Sequence, residues 1–258
     1  MNGTDFYPII FKRKSIRNYD LTPLNEDILG NIKDHINSLK PLYSDIEVDF
    51  KILSQKDVNP RMMKKAPHYI AAFSETREKY TKEGYKTNIG FMLQQMDLFF
   101  SANGWGSCWQ GIPKPRKEVL KSSDLEFIIL MAFGNPKEAL HRNNILEFKR
   151  KPLQKIYKIS DGKISEILEA ARLAPSATNS QPWFFTGNKH VINVYAVKPN
   201  IIRAIMLKRY IPIDMGIVLY HLTVAAHHFE KTTKILFDEN ANANSPNGYT
   251  YVASLKMD

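Results

Sequence analysis

The decisive stretch of this 258-residue chain reads Ala174-Pro175-Ser176-Ala177-Thr178-Asn179-Ser180-Gln181-Pro182-Trp183-Phe184. It follows an amphipathic run at 164–173, where apolar residues recur at helical spacing, and Pro175 cannot continue that helix. The aromatic segment 181–185 is typical of a strand. Between them, small side chains let main-chain groups approach a planar ligand, and the Asn179 and Gln181 amides offer donors and acceptors. The stretch predicts either a ligand-binding loop or an ordinary helix-to-strand turn.

The composition predicts a globular protein with one sizeable core or two closely joined small ones. The chain is 43% apolar and 24% charged, with both signs mixed, which excludes a disordered chain. It has no run of about 18 apolar residues, and residues 1–11 lack the pattern of an export signal. Cys108 is the single cysteine, which excludes internal disulfides and thiolate metal clusters. We therefore expect a cytoplasmic protein with no membrane partner.

The formal net charge of +10 raises the question of nucleic-acid binding. Basic residues are spread along the chain among acidic ones, apart from two dense triplets at 12–14 and 149–151. Two separate basic triplets suit a phosphate-binding pocket better than a continuous basic surface that follows a nucleic-acid duplex. The alternative for each triplet is an ordinary solvent-exposed basic surface. We expect no nucleic-acid partner, although binding that survived physiological salt would favour one.

Two halves of the chain resemble each other. Phe11-Lys12-Arg13-Lys14 recurs as Phe148-Lys149-Arg150-Lys151, and each copy leads into a predicted helix. We pair the strand-like segments 48–53 and 191–196, and the strands 127–133 and 249–255 that end each half. Chance similarity is the alternative because each match is short, but matching order across the segments favours a diverged duplication.

The long apolar helices predicted at 88–100 and 214–229 carry apolar residues on nearly every side, so we expect both at the centre of the molecule. Asn88 and Asp214 suit the N-cap position of these helices. Residues 242–248 are predicted to form a loop. The order of elements predicts an α+β fold in layers, with halves 1–147 and 148–258 forming one compact unit.

Further segments carry residues suited to ligand binding. In Arg13-Lys14-Ser15-Ile16-Arg17, cationic groups and a hydroxyl can converge on one anion, and a solvated basic face is the alternative. In the segment 102–111, Gly104 predicts a helix stop, and the other glycines permit close approach to a flat ring.

No base is identifiable beside Cys108, so we expect a packing cysteine, not a nucleophile. The adjacent pair His227-His228 lacks metal-ligand spacing, and we expect no metal site.

The pattern A-P-S-x-x-N-x-Q-P-W at 174–183 resembles the flavin-contacting signature of the FMN-dependent nitroreductase family. R-x-S-x-R at 13–17 is similar to the family's anchor for the FMN phosphate and ribityl chain. G-W-G-S-C-W at 104–109 is similar to a segment after which main-chain amides approach the flavin N5 and O4. The resemblance implies a nitroreductase-like fold with bound FMN. The FMN-binding residues that it implies are Arg13, Lys14, Ser15, Arg17, Asn59, Arg61, Gln110, Gly111, Lys149, Arg150, Pro175, Ser176, Ala177, Asn179 and Gln181.

The chain departs from the family by splitting these motifs between its halves. The anchor and the G-W-G-S-C-W segment occur only in the first half, and the A-P-S-x-x-N-x-Q-P-W loop only in the second. One chain therefore resembles a fused pseudo-dimer, a monomer or weak homo-oligomer, with a single complete site. We expect one FMN per chain at the seam between the halves.

The resemblance also implies a reaction. NADH or NADPH would deliver hydride through FMN to a small-molecule acceptor such as a nitroaromatic or a quinone. The cofactor carries this chemistry, so no side chain is predicted to be a catalytic acid or base. The alternative is a flavin-binding or sensor protein without significant turnover, because the duplicated motifs have partly decayed.

Overall fold

The structure is a computed structural model of the chain, and it describes residues 4–59, 65–77, 83–159, 164–198 and 208–258. The α-helices are α1 Tyr7–Ile10, α2 Glu26–Ser38, α3 Gly84–Ala102, α4 Lys117–Lys121, α5 Ser165–Arg172, α6 Ile211–His228 and α7 Glu239–Ala243. The strands are β1 Val48–Ser54, β2 His68–Ser74, β3 Gly106–Gln110, β4 Glu126–Gly134, β5 Tyr157–Lys158, β6 Trp183–Gly187, β7 Val191–Val197, β8 Thr233–Leu236 and β9 Tyr249–Met257. Short 3₁₀ turns lie at Gln55–Asp57, Ile145–Phe148, Leu153–Lys155 and Ala177–Asn179.

The strands form two sheets with equivalent strand orders. The first sheet has the order β1-β2-β4-β3 and the second β5-β6-β7-β9-β8. All pairs are antiparallel except β5 with β6. Apart from β5, the second sheet repeats the first, with β6, β7, β8 and β9 in the places of β1, β2, β3 and β4. The predicted α+β architecture is confirmed.

The helices repeat in the same way. The long helix α3 connects β2 to β3, and α6 connects β7 to β8. A short helix precedes the last strand of each half, α4 before β4 and α7 before β9. The helix α3 packs on strands of the first sheet and α6 on strands of the second, and the two helices pack against each other. The expected central position of both helices is thus observed.

Gly90 and Gly216 allow the close approach of the two long helices. A Cβ atom at Gly90 would overlap the main-chain carbonyl of Ile213, and one at Gly216 would overlap that of Thr87. The contact is reciprocal. Gly90 contacts Ile213, three residues before Gly216, and Gly216 contacts Thr87, three residues before Gly90. This is the arrangement of two elements related by a pseudo-two-fold axis.

The predicted N-caps of the long helices are wrong. The helix α3 begins at Gly84 and α6 at Ile211, so Asn88 and Asp214 lie within the helices and not before them. Both side chains are buried and accept hydrogen bonds from main-chain nitrogens of a preceding loop. Their polar character therefore reflects loop anchoring and not helix capping.

Two other expectations differ from the structure. The pairing of 48–53 with 191–196 is wrong, because β1 is equivalent to the short aromatic strand β6 and β7 is equivalent to β2. The loop predicted at 242–248 begins later, because α7 extends to Ala243. The side chain of Asp238 caps this helix, accepting from the main-chain nitrogens of Asn240 and Ala241.

One hydrophobic core contains buried residues from both halves. It includes Ile70 and Phe133 from the first sheet, and Phe185 and Leu255 from the second. A separate cluster around Tyr69 covers the other face of the first sheet. The predicted division between residues 147 and 148 falls between β4 and β5, and as a domain boundary it stays a prediction. Among the described helices, none combines the length and the apolar character needed to cross a bilayer.

The helix contact generates a stability prediction. Because a methyl group at either position has no room beside the facing backbone, Gly90→Ala and Gly216→Ala should each lower the free energy of unfolding by about 1–3 kcal/mol or more. Denaturant unfolding measures this change. The control is Gly30→Ala, at an exposed position of α2 where an added Cβ meets no atom within 4 Å. This substitution should raise stability by about 0.5–1 kcal/mol. Equal effects at all three positions would contradict the proposed close contact.

Candidate functional site

A cavity of about 250 Å³ lies at the seam between the two halves. The first half contributes the N-terminal segment around Ser15 and parts of β3 and β4, and the second contributes the loop after α5 and the start of α6. The anchor and the loop singled out from the sequence thus share one cavity, although they lie far apart in the chain. The predicted cofactor-binding residues that line it are Ser15, Arg17, Gly111, Pro175, Ser176 and Ala177.

The exposed end of the anchor carries an unpaired cation. Lys14 Nζ lies 3.4 Å from Glu138 Oε2, so its charge is offset. The other oxygen of Glu138 accepts hydrogen bonds from the main-chain nitrogens of Arg17 and Asn18, at 2.9 and 3.1 Å. Within the described residues, no carboxylate pairs with the Arg17 guanidinium, which donates to Ser15 O at 3.4 Å. The positive charge of Arg17 is therefore available to an anion.

Arg13 is buried and is not among the residues that line the cavity, and its predicted contact with the cofactor stays a prediction. Its Nε lies 3.1 Å from Asp97 Oδ2, and its Nη2 donates to Ser15 Oγ at 3.2 Å. Ser107 Oγ donates to the other oxygen of Asp97 at 2.6 Å. The charge of Arg13 is offset by Asp97, so in this structure Arg13 positions the Ser15 hydroxyl.

The buried pair continues into a network that joins the two long helices. Gln94 Nε2 lies 3.0 Å from Asp97 Oδ2 and 3.1 Å from His221 Nε2. The other imidazole nitrogen of His221 lies 2.9 Å from Ala170 O. Burial lowers the pKa of His221 to about 3, so its ring is neutral at physiological pH. A neutral ring with the proton on Nδ1 satisfies both contacts.

The loop at 174–181 has an unusual backbone. Thr178, Asn179 and Gln181 have φ values of 52°, 57° and 47°, in the left-handed region that non-glycine residues rarely adopt. Ser176 Oγ accepts from Gln181 N at 2.9 Å, which closes the loop on itself. Such strained loops are concentrated at functional sites.

The residues that line the cavity do not include Asn179 and Gln181, whose contacts with the cofactor stay a prediction. Asn179 Nδ2 donates to Lys149 O at 3.0 Å, and Gln181 Oε1 accepts from Lys151 N at 2.7 Å. These amides therefore tie the loop to the second basic triplet. Lys149 is exposed and its main chain has a φ of 49°.

Two arginines that pair with no carboxylate in the described part of the chain lie beside this contact. Arg150 donates to Asn179 Oδ1 at 2.6 Å and to Leu173 O at 3.1 Å. The guanidinium groups of Arg150 and Arg142 lie 5.5 and 4.0 Å from the ring centroid of Phe148. Burial, together with the charge of Arg13, lowers the pKa of Arg142 to about 10. Burial, together with the charges of Arg13 and Arg142, lowers the pKa of Arg150 to about 9. This concentration of positive charge favours an anion near the seam.

The end of β3 meets the start of α6 at the cavity. Tyr210 Oη donates to Gly111 O at 2.9 Å, and a Cβ at Gly111 would fall 2.5 Å from Cε1 of the Tyr210 ring. A larger residue at position 111 would displace the Tyr210 ring, because the ring lies directly against the Gly111 backbone. The Arg209 guanidinium lies 4.9 Å from the Tyr210 ring centroid.

The β3 side chains complete the wall. Cys108 is buried, as expected, and lines the cavity. The Trp109 indole nitrogen is buried and has no hydrogen-bond partner within the described ranges. A buried donor without a partner is unfavourable, so a ligand acceptor would stabilise it.

The remaining predicted residues lie elsewhere. The main-chain nitrogen of Asn59 donates to Lys114 O at 2.9 Å, which supports the loop after β3, and neither Asn59 nor the buried Gln110 lines the cavity. Arg61 lies outside the described residues. In the part of the chain that the structure describes, no group of His, Cys, Asp and Glu is arranged to hold a metal ion.

A protein-family model described as "Putative TM nitroreductase" matches residues 5–226. The chain belongs to this nitroreductase family. A comparison with curated proteins finds no match.

A solved structure of a protein described as a nitroreductase has the same fold. A "putative nitroreductase" from Thermotoga maritima superposes with a TM-score of 0.63 at 20% identity, covering 100% of this chain and 95% of its own. Shorter relatives match part of the chain. A nitroreductase family protein from Clostridium difficile 630 covers 60% of it at 18% identity and a TM-score of 0.45, and 96% of its own length. An "FMN-dependent Nitroreductase" from Clostridium difficile R20291 covers 57% of it at 15% identity and a TM-score of 0.42, and 95% of its own length.

Sequence reasoning missed several residues of this nitroreductase site. Asp97 and Arg142 gave no motif signal, and Tyr210 stands outside every pattern considered. Asp214 was noticed for its place at the start of a helix, but it lines the cavity. Contacts between residues far apart in the chain decide these roles, and a local pattern does not contain them.

The buried Arg13–Asp97 pair generates a second stability prediction. Asp97→Asn leaves a buried guanidinium without its counter-charge, which should lower the free energy of unfolding by about 3–5 kcal/mol. The matched control is Glu138→Gln, which removes the charge from a partly exposed pair and keeps the oxygen that accepts from the backbone. Its effect should be below about 1 kcal/mol. Equal losses in the two variants, measured by denaturant unfolding, would contradict the role given to Asp97.

Proposed function

We propose that this nitroreductase is an FMN-dependent NAD(P)H oxidoreductase that reduces a nitroaromatic, quinone or related acceptor, with one FMN at the seam between its halves. One observation carries the proposal: Ser15 and Arg17 of the first half share a cavity with Pro175, Ser176 and Ala177 of the second. The family's two flavin motifs therefore meet only because the halves are joined.

The chemistry of the lining residues fits FMN. Ser15 and the unpaired Arg17 suit the phosphate, since a hydroxyl and a guanidinium both donate to phosphate oxygens. The apolar side chains of Ile129, Ile213 and Ile217 suit a flat ring. The bound flavin would accept and release a hydride at N5. The protein's part is to hold the phosphate, orient the ring and limit the access of water.

The lining of a second cavity supports a stoichiometry of one FMN per chain. It lies at the place equivalent to the first, between the loop at 42–43 and the strands β8 and β9, and its volume is about 340 Å³. Apart from Lys234, its lining is apolar or aromatic: Leu42, Tyr43, Ile235, Leu236, Phe237, Val252 and Ala253. No hydroxyl–guanidinium pair like Ser15 and Arg17 is among these residues, so this cavity lacks the phosphate anchor of the first.

We also propose that the two halves, 1–147 and 148–258, descend from one duplicated unit. The repeated sheet order and the reciprocal contacts of Gly90 and Gly216 support this origin. Fusion explains why the motifs of one site are divided between halves, because each half can lose what the other supplies.

Reconstitution tests the proposed function. Protein purified without denaturation and supplied with excess FMN should retain the flavin through gel filtration. It should also oxidise NADH or NADPH with a nitroaromatic or quinone acceptor. Failure to retain FMN would contradict the proposal. Retention without turnover would favour a flavin-binding or sensor protein.

The anchor gives a sharper prediction. Arg17→Ala removes a charge-assisted hydrogen bond to phosphate, worth about 1.5 kcal/mol at an exposed site, and should weaken FMN binding about tenfold. Riboflavin lacks the phosphate, so its affinity should not change. Fluorescence titration measures both ligands. The matched control is Lys14→Ala, since Glu138 already offsets this neighbouring charge. Equal losses for FMN and riboflavin would exclude a phosphate contact at Arg17.

A further inference from the structure

Asn88 and Asp214 hold equivalent places in the two halves. Each lies two residues before the glycine at the helix contact, Gly90 or Gly216, and each anchors the loop that follows α2 or α5. The equivalent position is therefore an amide in one half and a carboxyl group in the other. The carboxyl group is in the half that carries the flavin-type loop.

An amide is sufficient to anchor the loop. Asn88 Oδ1 accepts from the main-chain nitrogens of Leu42 and Tyr43, at 2.8 and 3.0 Å. In the second half, the two oxygens of Asp214 lie 3.0 and 3.2 Å from Ala177 N. Asparagine has nearly the same shape as aspartate and could accept the same bond. Loop anchoring therefore does not explain why an ionisable group is present at Asp214.

Asp214 differs from Asn88 in its surroundings as well as its chemistry. It is 3% exposed, and it is the only carboxyl group among the described residues that line the cavity. The other ionisable groups of that lining are Arg17 from the anchor, Cys108 from β3 and Tyr210 before α6. The loop from Pro175 to Ser180 contributes none. Further along the long helices, the buried ionisable groups are His221 and Asp97, and Asp97 pairs with Arg13.

We infer that Asp214 is a proton-supplying residue of the cavity, holding a proton on its carboxyl group and giving it to the acceptor during reduction. This inference rests on the proposed function. For a quinone, NAD(P)H supplies the hydride equivalent, and the carboxyl O–H bond breaks as an O–H bond forms on the reduced acceptor. Asp214 is left as a carboxylate, and water restores its proton after the product leaves. The sum is NAD(P)H, one proton and quinone giving NAD(P)+ and hydroquinone.

The burial of Asp214 is consistent with this role. Burial raises the pKa of its carboxyl group well above the usual range, and the hydrogen bonds with Ala177 N and the Ser180 side chain oppose this only in part. The folded protein therefore holds a proton on Asp214 at pH values where the unfolded chain has lost it. The free energy of unfolding should fall as pH rises between the unfolded and the folded pKa.

The test is Asp214→Asn, which keeps the acceptor for Ala177 N and makes the second half match Asn88 of the first. Without the carboxyl group, the variant should not show the loss of stability that the wild type shows as pH rises. The stability difference between variant and wild type should therefore grow with pH. Denaturant unfolding of the full chain over a pH series measures this difference without reference to turnover. A difference that does not change with pH would overturn the inference.

Kinetics test the use of the proton. General acid catalysis contributes about 10²–10⁴-fold, so Asp214→Asn should lower kcat by about 10²-fold or more. The fall of wild-type kcat with rising pH should be absent in the variant, while FMN affinity stays unchanged. The matched control is Asn88→Asp, which introduces a carboxyl group at the equivalent position and should leave kcat and its pH profile as in the wild type. An unchanged kcat and pH profile in Asp214→Asn would overturn the inference.

Infrared difference spectroscopy of the wild type gives a reading even if the variant does not fold. A protonated buried carboxyl group shows a C=O stretch at neutral pH, and this band should be lost as the pH is raised. Its absence at neutral pH would overturn the inference. Failure of the wild type to bind FMN or reduce any acceptor would instead contradict the proposed function, and the stability and infrared results would remain interpretable.

Discussion

The packing of two glycines between the central helices positions both halves of the protein. Gly90 and Gly216 let α3 and α6 pack with their backbones in contact, each glycine against the carbonyl of the facing helix. This contact fixes the two sheets relative to each other, since each helix packs on its own sheet. It also fixes the distance between the N-terminal anchor and the loop after α5. The cavity at the seam is a consequence of this packing.

Ion pairing distinguishes the basic side chains that stabilise the fold from those that are available to a ligand. The charge of Arg13 is offset by Asp97 inside the protein, and that of Lys14 by Glu138 near the surface. Arg17, Arg142 and Arg150 have no carboxylate partner among the described residues, and two of them have lowered pKa values. The seam therefore carries an excess of positive charge, which an anionic cofactor would offset.

Local sequence signals predicted much of the fold. Pro175 ends a helix, Gly104 follows the end of α3, and the apolar runs mark the strands and the two central helices. The prediction failed where contacts with distant residues decide the role. Asn88 and Asp214 look like helix caps in the sequence, yet they anchor loops. The ligand contacts of Asn179 and Gln181 stay a prediction, and in the structure their amides bind the backbone of the basic triplet at 149–151. Arg13 resembles a phosphate ligand, but Asp97, which no motif marks, pairs with it.

We propose that two unequal halves together make a single flavin site. The most direct measurement is the amount of FMN bound per chain at saturation. Released flavin is quantified by absorbance and protein by amino-acid analysis, on a sample whose mass in solution is known. The account predicts one FMN per chain. Two FMN per chain would contradict it, because the second cavity would then bind flavin without the Ser15–Arg17 anchor.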